Sequence, residues 1–386
     1  MLNKRLLIVC LAMVVDPLIV ESYNPLVSVL KTAFDVNIDL IALSLTFHML
    51  PLAILSLFSG SLSDLFHRPR ILMYGLLISS AGSLIGVISP NITFFLLSRS
   101  IQGIGSAFIM PIALALIGDI TPREALGKAI GFSGVISSLF GVTLGPLISG
   151  FLGGIEWRIM PLLIFSYSLI LAVLSRITLR GIAVSPKKGS MSFILQQIKQ
   201  TAGNRNIALL SVAGFLSLFT FQGIMPLISD VLSLPPLLVE KSQIGIIFSI
   251  VGFVGILSSF FGGILTDKIG GRKNMALGFL MMLAPMFLLI FTNSYWLYLV
   301  LLPALSCFSR LAHVARSALA VELTPESRGT ASSFFNFAGF LGFASAPVAL
   351  TQIYTTFGIN SVYLLNVFLL ILCVVFTFLI RTIQDK

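Results

Sequence analysis

The chain has 386 residues and a mass of 41.7 kDa, with 57% hydrophobic residues, only 10% charged ones and a mean hydropathy of +1.04. Soluble domains carry about 25% charged residues, so a soluble globule is excluded, and disorder is excluded because it needs low hydrophobicity and high charge. A polytopic membrane protein remains, and the net charge of +10 has to be explained by where its cations fall.

Apolar runs, cut at charges and turn residues, predict twelve spans at 6–30, 40–62, 71–90, 94–118, 129–153, 159–179, 207–230, 243–265, 274–293, 296–321, 329–353 and 360–381. The first run holds Asp16 and Glu21. It is too long and too charged for a signal-peptide core, so it is read as a retained helix. Lys4 and Arg5 mark its start. At the helical rise Asp16 lies roughly 16 Å in and Glu21 roughly 24 Å in, where a carboxylate costs about 3 kcal/mol and is a functional candidate. The two sit five residues apart, about 140° around a helix, so they need not face one partner. Pro17 and Pro25 loosen the helix around them.

Span four holds Arg99-Ser-Ile-Gln102-Gly103-Ile-Gly105. An intramembrane Arg must face a cavity or a partner, and the small residues allow close helix approach. By depth Arg99 is nearer Glu21 than Asp16. Span five holds Gly134, Gly141, Gly145-Pro146 and Ser149-Gly150. The spacing keeps Gly134, Gly141 and Gly145 near one face, and Pro146 removes a backbone hydrogen bond. In the second half, Gln222, Arg310, His313 and Asn336 are weaker candidates for polar groups in a cavity. His48 and His313 are the titratable histidines within spans. Three cysteines lie in apolar runs without metal or disulfide spacing, and no catalytic array or phosphate loop is present. Neither an enzyme, a metal site nor a cofactor is expected.

Of the 24 Lys and Arg, nineteen fall on one side of the membrane, Arg316 counted among them. Lys31, Arg158 and Lys241 fall on the other, and Arg99 and Arg310 lie within spans. This asymmetry places both termini in the cytoplasm. The cations are topology signals spread over short loops, so no nucleic-acid partner is expected. The longest polar stretch divides the chain into a six-helix bundle at 1–180, a cytoplasmic connection at 181–206 and a second bundle at 207–386.

The halves repeat. Gly60-Ser61-Leu62-Ser63-Asp64 after span two corresponds to Gly263-Ile264-Leu265-Thr266-Asp267 after span eight, at an offset of 203 residues. Thr121-Pro122 and Thr324-Pro325 keep the same offset, as do Asp119 and Glu322. Two parallel repeats place a substrate site between the halves near the midplane.

On these motifs the chain resembles the major facilitator superfamily, and within it the twelve-helix drug:proton antiporters. The loop from Gly60 to Arg70 is similar to that family's Gly-x-Leu-Ala-Asp-Arg-x-Gly-Arg-Arg/Lys, with Leu65, His67 and Pro69 as departures. The copy from Gly263 to Lys273 keeps Asp267, Lys268, Gly270, Arg272 and Lys273. The resemblance implies that Asp64 and Arg68 join Asp119, with Asp64 near the start of span eleven. It also implies that the span-five Gly/Pro motif marks antiport. Asp16 is similar to the first-helix Asp of tetracycline-type exporters, and Glu21 to the acidic residue of other multidrug members. Both stay candidates for the proton carrier, with Arg99 as the group that biases it. The implied fold is an all-α membrane protein of twelve helices in two pseudo-symmetric bundles. The leading expectation is proton-coupled efflux of small amphipathic, often cationic drugs, with the proton as coupling ion, by a monomer in the cell membrane. Export of a sugar, an amino acid or another metabolite is the alternative, and a non-transporting receptor or lipid-handling protein the third.

Overall fold

The computed structural model describes residues 4–65, 67–182, 199–323 and 328–380, with side chains described except at 59–65, 321 and 328–331. Among the described residues, twelve helical stretches are long and apolar enough to cross a membrane. Spans one to six are Lys4–Phe34, Ile38–Phe58, Arg68–Val87, Ile92–Ile120, Arg123–Leu152 and Ile159–Thr178. Spans seven to twelve are Arg205–Ser233, Lys241–Ile269, Gly271–Phe291, Tyr295–Ala320, Ser332–Phe357 and Ile359–Leu379. Lys187 and most of the expected connection lie outside the described residues, as do Thr324 and Pro325.

Spans one to six belong to one compact unit, Met1–Ser190, and the rest to a second, Met191–Lys386. Within the first unit, span four packs on spans two and three, span six on span three, and span five on span one. Within the second, span ten packs on spans eight and nine, span twelve on span nine, and span eleven on span seven. The pairings repeat with the sequence. Gly141 and Gly145 lie against Pro17, Leu18 and Ser22 of span one, and Gly339 and Gly342 lie against Leu218 and Phe215 of span seven. A small-residue seam thus recurs in the second unit, between spans eleven and seven.

Span one is not a single helix. It runs as Lys4–Ala12, Val15–Glu21, a 3-10 turn at Asn24–Leu26, and Val27–Phe34. The prolines are the cause, since each removes a donor. Pro17 leaves the Met13 carbonyl without an N–H four residues on, and Ser137 Oγ of span five supplies the bond at 2.7 Å. Nearby, the Tyr167 hydroxyl of span six donates to the Leu11 carbonyl at 2.8 Å. Span five is interrupted by a π-helical segment at Ser138–Thr143, where Leu144 N–H reaches back five residues to Leu139. The irregularity falls just before Pro146, which cannot donate to the Val142 carbonyl. Gly141 sits inside it, where its missing side chain lets Pro17 approach.

Candidate functional site

The first unit gathers its polar side chains where spans one to four meet. His48 Nε2 of span two lies 3.2 Å from Asp16 Oδ1 of span one. With a carboxylate as acceptor, Nε2 is the nitrogen that carries the proton. His48 is fully buried, whereas the Asp16 side chain keeps 19% of its surface exposed. Asp16 sits in the first turn of Val15–Glu21, where free backbone N–H groups favour an anion.

Arg99 is fully buried. Its Nη1 donates to the Ile19 carbonyl at 3.2 Å and to Gln102 Oε1 at 2.7 Å, and its Nε donates to the Ser44 carbonyl at 3.4 Å. Its guanidinium lies 4.3 Å from the centre of the Tyr23 ring. Gln102 passes the chain on, its Nε2 donating to Ser83 Oγ of span three at 2.9 Å. One guanidinium thus ties span four to spans one and two, and the adjacent amide ties it to span three. Although Arg99 is nearer Glu21 by depth along the membrane, the Asp16 charge also acts on its guanidinium. Glu21 Oε2 accepts from Asn24 Nδ2 at 3.1 Å, within its own span. An aromatic group of Tyr23, Phe95, Phe34 and Trp157 packs beside Arg99 with centroids 5.1–5.8 Å apart, edge to face except for the tilted Phe34–Phe95 pair. It adds apolar cover that strengthens the electrostatics next to it.

The glycines of span four explain this closeness. A Cβ on Gly103 would overlap the His48 carbonyl, and one on Gly105 would overlap Ser79 and Gly75 of span three. Gly103 sets the distance between spans two and four at the residue that holds Asp16. Of the span-five motif, Gly141, Gly145, Pro146 and Gly150 are buried. Gly134 is not part of that seam, since a Cβ there meets nothing within 4 Å.

At one end of the unit Arg68 Nη1 donates to both carboxylate oxygens of Asp119, at 2.6 and 2.7 Å. This is the link implied between the loop motif and the end of span four. The side chain of Asp64, and the stretch around Gly60, lie outside the described residues. In the second unit Asp267 is exposed and Arg272 donates to the Phe378 carbonyl at 2.8 Å. Gly263 has open space around it. Arg68→Ala and Asp119→Asn are each expected to slow transport several-fold, with the double variant no slower than the worse single one, because both remove the same bidentate pair. Transport rates of the three variants check this, and full rates in both singles would contradict it.

Arg316 requires a correction. It was counted with the interfacial cations, but it is 1% exposed inside the second unit. Its Nη1 donates to the Ala213 and Gly214 carbonyls at 3.2 and 3.4 Å, and its Nη2 lies 3.2 Å from His313 Nδ1. The rings of Phe335 and Phe279 flank it at 5.6 and 5.8 Å. The guanidinium of a residue near the end of span ten reaches back into the bundle instead of out to water. Arg310 and Gln222 are half-buried, and Asn336 is exposed.

Among the described residues each unit carries six apolar spans, and a polar cluster lies inside the first. Residues 9–239 and 207–386 match the profile of the Major Facilitator Superfamily, and the chain belongs to that family. It is a transporter and not an enzyme. The chain is 29% identical over 263 residues to the uncharacterized MFS-type transporter YybF of Bacillus subtilis (strain 168), covering 68% of this chain and 65% of that protein. It is 36% identical over 128 residues to Multidrug resistance protein 1 of the same organism, about a third of each chain (33% and 32%). Its fold matches the crystal structure of a bacterial homologue of the human lysosomal transporter Spinster, in an inward-facing and unoccupied conformation. The TM-score is 0.80 and the identity 17%, over 99% of this chain and 98% of that one.

Proposed function

We propose that the protein exports small amphipathic, often cationic compounds in exchange for protons, by alternating access, in a cell membrane with both termini cytoplasmic. Asp16 is the group that binds proton and substrate in turn. The observation that carries this is the Asp16 carboxylate, partly exposed, with the fully buried His48 ring nitrogen at 3.2 Å and the fully buried Arg99 in the same cluster. The Asp16 side chain keeps part of its surface exposed, whereas its two basic partners, His48 and Arg99, are fully buried. When Asp16 is protonated, a cationic substrate has no charge to meet there. When it is ionised, the His48 N–H and the Arg99 field hold the carboxylate in place, and a cation or a proton can claim it, but not both. Glu21, hydrogen-bonded within its own span, is assigned no part in the exchange. The Gly/Pro seam of span five and the partial likeness to Multidrug resistance protein 1 support antiport of drug-like compounds.

Inverted membrane vesicles from cells lacking their own pumps test the reading. With an acid interior, wild-type vesicles are expected to accumulate a lipophilic cationic dye and to lose it when a protonophore is added. Dye accumulation that ignores the protonophore would contradict proton coupling. Transport of a neutral or anionic metabolite with none of the dye would contradict the substrate class.

A further inference from the structure

Spans three and six of the first unit enclose a cavity of about 390 Å³ where span three begins and span six ends, lined among others by His67, Arg70, Met73, Arg176, Ile177 and Arg180. Among the described residues its lining holds three guanidiniums and no carboxylate. Among the described residues none of the three has a hydrogen-bond or ion-pair partner, and His67 Nδ1 has none either. Nearby cations of the same unit are engaged, Arg68 on Asp119 and Arg5 on the Thr178 carbonyl. Topology signalling by the positive-inside rule needs cations near the interface, but it does not need three of them converging on one hollow. Three like charges around a cavity favour an anion inside it, and the guanidinium fork matches a phosphate in particular.

The apolar surface beside the cavity narrows the choice of anion. Ile177 lines the cavity and is 67% exposed, and Val173 and Ile170 continue from it up span six at helical spacing, at 52% and 57% exposure. On span three the exposed Tyr74 and Leu77 follow Arg70 in the same way. A soluble phosphate would use the arginines and leave this stripe idle, whereas a phospholipid uses both. We propose that the cavity is a binding site for the phosphate headgroup of an anionic phospholipid of the cytoplasmic leaflet, with the acyl chains along the exposed stripe. The proposal is independent of the transported substrate.

Lipid retained by the purified full-length protein tests it, read by native mass spectrometry with phosphatidylglycerol and phosphatidylcholine as probes. Wild type is expected to retain phosphatidylglycerol over phosphatidylcholine by about tenfold or more. The variant Arg70→Gln/Arg176→Gln/Arg180→Gln should lose that preference. The equal-charge control Arg123→Gln/Lys128→Gln/Lys199→Gln, outside the cavity, should keep it within about twofold. Ile177→Trp preserves every charge and covers the mouth, and it should also lose the preference, which keeps the test decisive if the triple variant fails to fold. Equal losses in the cavity and control triples, or an unchanged preference in Ile177→Trp, would overturn the site. Displacement of the bound lipid by glycerol 3-phosphate at equal concentration would overturn the lipid as its occupant.

Discussion

Gly103→Ala is expected to destabilise the protein by about 1–3 kcal/mol and to remove most of its transport. The added methyl would overlap the His48 carbonyl oxygen and stand 2.9 Å from the carbonyl carbon. Both are backbone atoms of a helix, so neither can rotate away, and spans two and four must part. The parting also moves His48 from Asp16, so function should fall further than stability alone explains. Gly134→Ala is the matched control. A Cβ there meets open space, and alanine is the better helix former by about 1 kcal/mol. Thermal unfolding in detergent, with the folded fraction from gel filtration, should therefore show a lower midpoint for the first variant and an unchanged or higher one for the second. Equal midpoints would mean that the contact between Gly103 and His48 sets nothing.

Asp16→Asn is expected to abolish transport driven by a pH gradient while exchange of substrate down its own gradient survives. Asparagine keeps the size of the side chain and an acceptor for His48, so packing around the pair is retained. What it loses is the charge that proton and cation share. Glu21→Gln should leave gradient-driven transport within about twofold, because it keeps an acceptor for Asn24 and leaves the Asp16–His48 pair in place. His48→Gln keeps a donor near Asp16 but no titrating ring, and it should transport more slowly without losing coupling altogether. Arg99→Ala should be the most damaging of the neighbours, because it strips three hydrogen bonds and an aromatic contact from a buried position that joins spans one, two and four. Vesicle uptake with and without an imposed gradient separates these outcomes.

The twelve spans were legible because a bilayer demands long apolar runs, and the predicted ranges match the observed helices to within a few residues. The interruptions were legible only in part. Pro17 and Pro25 announced a loosened span one, but the bond from Ser137 that repairs the Met13 carbonyl comes from a helix more than a hundred residues away. Asp16, Arg99 and Gln102 stood out as polar groups at depths where only a partner makes them tolerable. Their partners did not stand out. His48 is thirty-two residues from Asp16, and its ring carries no sign of which neighbour it will meet. Depth placed Arg99 nearer Glu21, but height along the membrane says nothing of rotation about the helix, which is what decides contacts. Arg316 was misplaced for a related reason. Its α-carbon lies near the end of span ten, and only the packed structure shows that its long side chain turns inward to the Ala213 and Gly214 carbonyls. Gly103 and Gly134 look alike as motif glycines, and what separates them is a neighbouring backbone that the spacing does not encode.

The most direct measurement is proton release from the purified protein in weakly buffered solution when a transported substrate is added. If Asp16 exchanges one for the other, wild type and Glu21→Gln release protons on substrate addition and Asp16→Asn does not. Undiminished release from Asp16→Asn would contradict the assignment and place the exchange at another group.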